Sequence, residues 1–414
     1  MKLIADFHIH SKYSRATSKD MNLESLDEWA KIKGIKVLGT GDFTHPEWFK
    51  SLKEKLESAE PGLYKLKTDD QTRFILTSEI SCIYTKKNKV RKIHVLIFAP
   101  SLAVVEKINA HLGSIGNIKS DGRPILGLDA KELAKIILGI SPDCFIVPAH
   151  AWTPWFSIFG SKSGFDSIEE CFEEYSKYIY AIETGLSADP AMFWRISGLD
   201  KIALLSNSDA HSPRKIGREA NIFDTALSYD AITGAIKDRD PKRFLSTIEF
   251  FPEEGKYHYD GHRNCEISLT PPESRKYNNL CPTCGKPLTI GVMNRVASLS
   301  DRKEGLGGEG KIPFKSLVPL EEIIAESLGV TTASKRVGLE YKKLIKELGS
   351  EFNILLEASK EGLIGATLPE IAEGIIRVRE GRVSITPGYD GVYGKVSIFS
   401  ESEQKKLNKQ GTLI

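Results

Sequence analysis

The chain has 414 residues, 41% of them hydrophobic and 27% charged, which is enough for two or three domains with a sizeable core. Its formal net charge of +2 excludes a strongly basic or acidic protein, so any nucleic-acid-binding surface must be local. No apolar run reaches the roughly 18 residues of a membrane span, the start of the chain lacks a signal peptide's apolar core, and the six cysteines are too sparse for a secreted disulfide framework. We therefore expect a cytoplasmic protein without membrane contact.

Short apolar strands alternate with amphipathic helices over residues 1–251. The predicted strands are Leu3–Phe7, Val37–Thr40, Arg73–Ile80, Lys92–Phe98, Cys144–Pro148, Tyr180–Thr184 and Lys201–Ser206. The predicted helices include Leu23–Lys33, Pro46–Leu56, Leu102–Leu112, Ala130–Leu138 and Ile168–Tyr175. Because helices separate strands, we expect parallel pairing in a βα barrel or a doubly wound sheet. Polar groups at nearly every strand end favour the seven-stranded barrel, whose active site lies on that face.

The pattern changes after the barrel. Residues 251–261 are rich in Pro, Glu, Gly and aromatics and are typical of a linker, and a compact cysteine-containing segment follows to about residue 291. Residues 319–380 have helical periodicity, and the segment ITPGYDGVYGKVSIF predicts a turn and a strand. The predicted α/β chain therefore has a barrel at 1–245, a linker with a small module at 246–315, and a mainly helical domain at 316–414.

Metal-ligand side chains recur at the ends of the predicted strands. They are His8, His10, Glu79, His94, His150, Asp209 and His211. Two histidines at i and i+2 of a strand face the same side, so His8 and His10 suit one ion. Each residue also has a structural interpretation, for example a hydrogen-bonded core histidine at position 94 or a turn-capping carboxylate at position 209. The convergence of so many ligands favours a site for several metal ions.

These residues, with Ser11 and with Asp42 in TGDFTH, resemble the motif set of the polymerase-and-histidinol-phosphatase (PHP) superfamily over residues 1–240. The resemblance implies a distorted seven-stranded βα barrel that binds two or three divalent metals, Zn, Mn or Mg. It places a first metal on His8, His10, Glu79 and Asp209, and a second on Glu79, His94 and His150, with Glu79 bridging. A third metal would use His211.

The third site departs from the superfamily pattern. Gly41-Asp42-Phe43 stands where Thr-Asp-His is usual, so we expect Asp42 or His45 to supply the missing ligand, and Asp20 is the one carboxylate shortly after His10. Bridged metals about 3.5–4 Å apart activate water and neutralise phosphoryl charge, which predicts phosphoester hydrolysis with Glu79 and Asp209 as catalytic residues. Glu183, in AIETG, is a catalytic candidate as a general base, with a supporting or purely structural role as the alternatives.

His262-x-x-Cys265 followed by Cys281-Pro-Thr-Cys284-Gly predicts a structural zinc site. Two paired ligands at this separation suit tetrahedral coordination, and Pro and Gly permit the tight turn between the thiolates. His258 competes with His262 for the fourth position. Four protein ligands leave no open coordination position, so this zinc would be structural.

The residues beyond the barrel favour a large substrate. Local basic sites such as Arg214-Lys215, Asn294-Arg295 and Lys342-Lys343 are consistent with tracking a phosphate backbone, although any single site is more simply a solvated surface. Trp155 and Phe156 directly follow the His150 segment, and Tyr389 and Asp390 lie in a glycine-rich loop. We expect these four residues to contact a DNA base.

Nearly the whole chain is similar to the endonuclease Q family. The resemblance rests on GDFTHP, AHAWTPWFS, ETGLSADP, SNSDAHSP, YHYDGHRNC, CPTCGKPLT and ITPGYDGVYG. It implies an archaeal or bacterial repair endonuclease that nicks DNA 5′ to deaminated bases (hypoxanthine, uracil, xanthine) and abasic sites. Archaea are the expected source, and the lesion would be flipped out of the stack.

Three further expectations remain open. Gln410 and Leu413 match the start of a sliding-clamp-binding peptide, so a clamp is a possible partner. A PHP-type phosphatase acting on a small phosphomonoester is the alternative activity. A catalytically dead barrel that serves as a DNA-binding scaffold is the alternative from another class.

Overall fold

The computed structural model describes residues 1–305 and 310–404. Its strands are β1 (Lys2–Asp6), β2 (Val37–Gly39), β3 (Leu56–Ser58), β4 (Tyr64–Leu66), β5 (Arg73–Lys86), β6 (Lys89–Ala99), β7 (Ile125–Leu126), β8 (Phe145–Pro148), β9 (Ala181–Glu183), β10 (Ala203–Leu205), β11 (Ala220–Asp224), β12 (Phe244–Glu249), β13 (Asp260–His262), β14 (Ile267–Leu269), β15 (Phe314–Ser316), β16 (Ser384–Thr386) and β17 (Lys395–Ser397). Its helices are α1 (Leu23–Lys33), α2 (Pro46–Lys55), α3 (Leu102–Ile115), α4 (Ala130–Ile140), α5 (Ile168–Phe172), α6 (Pro190–Phe193), α7 (Tyr229–Asp238), α8 (Pro271–Lys276), α9 (Val292–Leu299), α10 (Leu320–Ser327), α11 (Lys335–Leu348), α12 (Lys360–Ala366) and α13 (Pro369–Arg379). All seven predicted strands are present, as β1, β2, β5, β6, β8, β9 and β10.

Local capping sets several helix boundaries. The Asn22 side chain accepts from the backbone N–H of Ser25 at the start of α1, and Gly34 ends that helix in the left-handed region with φ 88°. Side chains of Ser101 and Asp129 cap α3 and α4 in the same way. These caps explain why the predicted helices begin where the structure has them.

The main sheet is mixed, and this corrects the predicted all-parallel barrel. Strands β1, β2 and β5 pair in parallel, but β6 is antiparallel to both β5 and β8. No helix separates β5 from β6, and Lys87 and Asn88 form a two-residue turn with φ 51° and 60°, the conformation of a tight hairpin. The additional strand β11, antiparallel to β1, was not predicted.

Hydrogen-bonded pairing among the described strands does not close the sheet. The order of the main path is β15-β12-β11-β1-β2-β5-β4-β3, with β6, β7 and β8 attached through β5, while β9 and β10 form a separate parallel pair. An isolated bridge between Ile9 and Ala210 brings the chain after β10 alongside the chain after β1. The ends of β1 and β10 are therefore neighbours.

Side chains from all seven predicted strands nevertheless share one inner apolar cluster. Its members include Phe7, Val37, Ile75, Phe98, Val147, Ala181 and Leu205. A larger outer cluster runs from Ile9 to Phe399 and includes the buried faces of α1, α10, α11 and α13. The C-terminal helices therefore pack on the same core as the first half of the chain. Within the described residues, no helix is both long and apolar enough to cross a membrane.

Candidate metal centre

Glu79 lies between two groups of metal-ligand side chains. It is in the middle of β5, and its carboxylate is fully buried. Its Oε2 atom lies 3.3 Å from Nε2 of His10 and 3.6 Å from Nε2 of His8. Its Oε1 atom lies 2.7 Å from Nδ1 of His94 and 3.1 Å from Nε2 of His150. The two oxygens of one carboxylate therefore face two different histidine pairs.

Asp209 completes the first group. Its Oδ1 atom lies 3.1 Å from Nε2 of His10 and 3.7 Å from Nε2 of His8. One ligand atom from each of these three residues lies within 4.8 Å of the others, and the same holds for Glu79, His94 and His150. The backbone N–H of His10 donates to the carbonyl of Ala210 at 3.0 Å, which fixes the two segments side by side.

Three residues at the centre have left-handed backbone conformations. The φ angles are 47° at Asp42, 30° at His150 and 46° at Asp209. Such conformations are uncommon for residues other than glycine and concentrate at functional sites, where the surrounding structure holds them. Gly185 leaves room for His150, since a Cβ at position 185 would lie 2.6 Å from the His150 Cβ.

The donor set fits divalent cations. Nε2 of His8, Nε2 of His10 and Oδ1 of Asp209 are buried and make no hydrogen bond. A buried polar atom without a partner costs about 1–3 kcal/mol, so these converging atoms require a bound partner. Imidazole nitrogen combined with carboxylate oxygen is a donor set for zinc, manganese or iron.

The electrostatics of the centre favour a bound cation. Burial disfavours charge on Glu79, but His94, Arg123 and His8 hold the pKa of its carboxyl well below the usual range. Burial also opposes protonation of His8, but Glu183 and Glu79 raise the pKa of this imidazole well above its ordinary value. The negative charge of the carboxylates thus outweighs the effect of burial, which favours neutral histidines. A metal cation that binds here would displace the histidine protons.

Glu183 orients both histidine pairs from behind. Its two carboxyl oxygens each lie 3.0 Å from Nδ1 of His8, on the side of the ring away from Glu79. One oxygen accepts from the backbone N–H of His150 at 2.8 Å, and the other accepts from the side-chain amide of Asn207 at 2.9 Å. These contacts position imidazoles and leave the carboxylate enclosed by protein groups.

Asp42 holds His10 in a similar way. Its Oδ1 atom lies 2.9 Å from Nδ1 of His10, and its Oδ2 atom accepts from the backbone and hydroxyl of Ser11 and from the hydroxyl of Ser14. The residue is fully buried. Gly122 packs against it so closely that a Cβ at position 122 would lie 2.2 Å from Oδ2. The geometry makes Asp42 a support for a ligand.

The residues predicted for a third metal are not brought together. His45 precedes α2 and stacks on Tyr13 with ring centroids 4.4 Å apart. The His211 ring lies 4.7 Å from that of His10, but its Nδ1 atom is 2.8 Å from the backbone carbonyl of Asp209. In the part of the chain that the structure describes, the groups of three or more clustered ligands contain none of Asp20, Asp42, His45 or His211.

A cavity of about 450 Å³ opens over the centre. Its lining includes His94, His150, Asp209, Arg15, Arg123, Trp155 and Phe156. Phe156 contacts the second histidine group, because its ring centroid is 4.7 Å from that of His94 and its carbonyl accepts from the His94 N–H at 3.1 Å. Trp155 is 45% exposed at the rim. Both aromatics therefore line the cavity over the centre.

A second cleft of about 880 Å³ adjoins this cavity. The two share Thr153, Trp155, Leu186 and Ser187. The cleft has basic, acidic and aromatic lining residues, which include Arg214, Lys215, Arg218, Lys256, Glu254, Glu321, Glu322, Tyr257 and Tyr393. Trp155 thus lies between the metal centre and a cleft of mixed charge beside the C-terminal helices.

Tyr389 and Asp390 lie elsewhere. Asp390 accepts from the backbone N–H of Arg263 at 2.7 Å and from the hydroxyl of Thr289 at 2.6 Å. Tyr389 packs on Gly261, where a Cβ would lie 2.4 Å from its ring. Both residues fasten the β16–β17 hairpin loop to the cysteine-containing segment. Neither is among the lining residues of the cavity or the cleft.

The cysteine-containing segment forms a compact four-ligand group. One ligand atom each of His262, Cys265, Cys281 and Cys284 lies within 4.8 Å of the others. The β13–β14 hairpin provides the first pair, and a turn closed by the Gly285 N–H on the Cys281 carbonyl at 2.8 Å provides the second. His258 is not part of this group, and its Nδ1 atom bonds to the Pro252 carbonyl at 3.1 Å.

Arg123 and Asn207 contact carboxylates of the centre, and neither was predicted from the sequence. Arg123 donates to Oε2 of Glu79 at 3.1 Å, and Asn207 donates to Glu183. Arg123 lies on the loop between α3 and β7, just before a short strand that was not predicted, so its position depended on the path of that loop. Asn207 stands two residues before Asp209 in SNSDAHS, and this proximity was the available signal.

Comparison with known proteins places the chain in a family. Residues 319–382 match the family model described as the MJ0043 C-terminal domain. The chain is 34% identical over 256 residues to the uncharacterized protein MJ0043 of Methanocaldococcus jannaschii, a match that covers 60% of this chain and only 31% of that longer relative. It is 31% identical to the uncharacterized protein YqxK of Bacillus subtilis, over 95% of this chain and 99% of that protein.

Two solved structures share the fold over almost the full chain. The lesion-specific endonuclease PfuEndoQ from Pyrococcus furiosus matches with a TM-score of 0.86 at 33% identity, covering 97% of this chain and 96% of that one. Endonuclease Q in complex with a 27-mer duplex that has an abasic lesion at the active site matches with a TM-score of 0.85 at 32% identity, covering 98% of both chains. The fold is therefore that of a lesion-specific endonuclease. The chain belongs to the endonuclease Q family.

Proposed function

We propose that this protein is a metal-dependent DNA repair endonuclease. It would hydrolyse the phosphodiester 5′ to a deaminated base (hypoxanthine, uracil or xanthine) or to an abasic site. The observation that carries the proposal is the position of Glu79, whose two oxygens face two histidine pairs beneath an open cavity. Membership of the endonuclease Q family supports DNA as the substrate, because a relative binds duplex DNA with an abasic lesion at its active site.

Two divalent cations would be held by the described ligand groups. His8, His10 and Asp209 would hold the first, His94 and His150 the second, and Glu79 would contact both. Such cations supply Lewis acidity, an activated water and neutralisation of the charge on phosphoryl oxygens. Zinc, manganese and magnesium remain the candidate metals. A third cation at His211 is not part of the proposal.

The side chains of the centre have defined supporting tasks. Glu183 keeps Nε2 of His8 directed at the first group, because it occupies Nδ1 on the opposite side of the ring. Asp42 does the same for His10. The depressed pKa values of Glu79 and Asp209 keep both carboxylates charged at neutral pH, although burial alone would raise them. The ligands are thus charged and oriented before substrate binds.

Lesion recognition would involve the rim of the cavity. Extruding a base from a duplex costs least where pairing is already weak or absent, which suits deaminated and abasic positions. Trp155 is exposed between the centre and the adjoining cleft, so it is placed to stack on a base or to fill the gap that an extruded base leaves. Phe156 would support this loop from the His94 side. Tyr389 and Asp390 would act indirectly, through the cysteine-containing segment.

We also propose that His262, Cys265, Cys281 and Cys284 hold one structural zinc, and that the segments 1–245, 246–315 and 316–414 are the functional divisions of the chain. Four mutually close ligands with two thiolate pairs suit tetrahedral zinc. The proposed clamp-binding residues Gln410 and Leu413 lie outside the described residues.

Strand-resolved cleavage tests the function. Duplexes with a single inosine, uracil or abasic site are incubated with the protein and Mn²⁺, Mg²⁺ or Zn²⁺, with and without EDTA. We expect one nick 5′ to the lesion, none in undamaged DNA, and none with EDTA or with a His8→Ala variant. Hydrolysis of a chromogenic phosphomonoester without nicking would support the phosphatase instead. Nicking by His8→Ala at the wild-type rate would contradict the proposed centre.

A further inference from the structure

We propose that Arg123 is a catalytic residue whose guanidinium contacts a non-bridging oxygen of the scissile phosphate. The inference rests on the proposed nuclease function and deepens it. Arg123 is not a metal ligand, and no strand-end pattern in the sequence identifies it. Its contacts distinguish it from every other cation near the centre.

Most of the Arg123 guanidinium is available for a substrate. Among the described residues, its side chain makes a single hydrogen bond, from Nη1 to Oε2 of Glu79 at 3.1 Å. A guanidinium has five N–H donors in a planar fork, and that fork matches two phosphate oxygens. The side chain lines the cavity and is 25% exposed, whereas the Glu79 carboxylate is fully buried. The remaining donors therefore have the cavity as their accessible space.

The loop that presents Arg123 is fixed in place. The Asp121 side chain accepts from the Arg123 backbone N–H at 3.1 Å, and the Gly122 N–H donates to the Tyr13 carbonyl at 3.1 Å. On the other side, the Ser81 N–H donates to the Pro124 carbonyl at 3.0 Å. The close packing of Gly122 on Asp42 ties the same loop to the support of His10. A guanidinium held this way needs little reorganisation when substrate binds.

Burial distinguishes Arg123 from Arg15, its neighbour at the rim of the cavity. Arg15 is the other arginine in the cavity lining, but its side chain is 83% exposed and pairs with Asp121 at 3.4 Å. Solvent and this ion pair weaken its field at the centre. Arg123 is mostly buried, and it contacts the ligand that both histidine pairs share. Among the described side chains that line the cavity, Arg123 is therefore the buried cation that a phosphodiester at the centre would meet.

The test compares Arg123→Ala and Arg123→Lys with wild type and with Arg382→Ala, an exposed arginine remote in sequence from the centre. Single-turnover nicking of an abasic duplex gives the rate and the apparent affinity, and elemental analysis gives the metal content. We expect Arg123→Ala to lower the rate about 100-fold, a loss typical of removing one transition-state donor, with metal content unchanged. Arg123→Lys should recover only part of the rate, because it retains charge without the fork.

Methylphosphonate substitution at the scissile phosphate supplies the decisive readout. Replacing the contacted oxygen by a methyl group should slow wild type more than it slows Arg123→Ala, so that for one diastereomer the two losses are not additive. Fully additive losses for both diastereomers would overturn the proposal. The proposal would also be overturned if Arg123→Ala lost a metal ion and excess metal restored its rate, because Arg123 would then only hold Glu79 in place. Absence of nicking by wild type with every metal would instead refute the nuclease function itself.

Discussion

Glu183 contacts His8 at Nδ1, on the edge of the imidazole that is turned away from the candidate metal centre. Both carboxyl oxygens lie 3.0 Å from Nδ1, and Nε2 points towards Glu79. The same carboxylate accepts the backbone N–H of His150, a residue of the other ligand group. One buried side chain therefore couples the two groups. This relationship explains why a glutamate at a strand end supports the centre without occupying it.

The Glu183→Gln variant should bind metal more weakly and retain its catalytic capacity. An amide keeps the shape but loses the negative charge that orients His8, and such outer-contact changes typically cost 10–100-fold in metal affinity or activity. Nicking measured against metal concentration should shift to higher concentrations and approach the wild-type maximum. Glu380→Gln, an exposed change, serves as the control. A rate that stays low at saturating metal, with metal bound, would show that Glu183 is a general base.

The two-metal arrangement predicts that His45 is dispensable. Its ring stacks on Tyr13 and belongs to neither ligand group. His45→Gln should change the nicking rate by less than about threefold, as for a residue outside the site. Elemental analysis should still find two catalytic metals and one zinc per chain. Asp42→Asn is the informative comparison, because it removes the charge that holds His10. Loss of one metal equivalent from His45→Gln alone would restore the third site.

Local sequence signals predicted the helices well and the sheet only in part. The predicted bounds of α1 match the structure because Asn22 and Gly34 cap it locally. The antiparallel direction of β6 was missed, although Lys87-Asn88 leaves too few residues for a crossover. Strand β11 was missed because its pairing partner β1 is more than 200 residues away in the chain, and β12 was missed with it because it pairs with β11.

The centre was predictable where ligands follow strands and not where loops supply them. His8, His10, His150 and Asp209 come at strand ends, and their convergence follows from the sheet. Arg123 reaches Glu79 only because the loop after α3 folds back over β5. The expected third site stays a prediction, because Asp42, one of its candidate ligands, makes its hydrogen bonds to His10, Ser11 and Ser14 within the protein.

The cysteine-containing segment should depend on one zinc ion. Cys281→Ser should lose one zinc equivalent and increase amide hydrogen exchange in β13 and β14, because two of the four ligands anchor that hairpin. His258→Gln is a matched control that should keep its zinc, since His258 lies outside the group of four ligands. A chelator-release assay with a colorimetric zinc dye measures both. Zinc lost from the His258 variant and kept by the Cys281 variant would contradict the assignment.

Stability should fall as the pH rises above the acidic range because of Glu249. Burial raises the pKa of its carboxyl from an ordinary 4.5 to about 8, although hydroxyls of Thr247 and Thr184 donate to it. The folded state therefore binds more protons than the unfolded state between those pH values, and the free energy of unfolding decreases through that window. Burial raises the pKa of neighbouring Glu219 in the same direction.

Glu249→Gln should remove much of this dependence. The variant and wild type should be similar near pH 5, and the variant should be more stable near pH 8 by on the order of 3 kcal/mol. Urea unfolding followed by circular dichroism at several pH values gives the difference directly. A glutamine that destabilises the protein equally at both pH values would show that Glu249 is charged in the folded state.

The C-terminal helices should depend on a buried ion pair between Lys33 and Glu351. The Nζ and Oε2 atoms lie 2.6 Å apart, with both side chains about 95% buried. Glu351 also accepts from the hydroxyl of Tyr341 at 2.6 Å and from the backbone N–H of Leu320 at 3.2 Å.

Lys33→Ala leaves that carboxylate buried and unpaired, which should cost about 3–5 kcal/mol. The double change Lys33→Met with Glu351→Gln should cost less, because no uncompensated charge remains. Urea unfolding measures both costs, and limited proteolysis should cut residues 316–404 first in the single variant. Equal stability of Lys33→Ala and wild type would mean that solvent reaches Glu351, and the ion pair between the end of α1 and the segment after α11 would then contribute little to holding the cleft beside the centre.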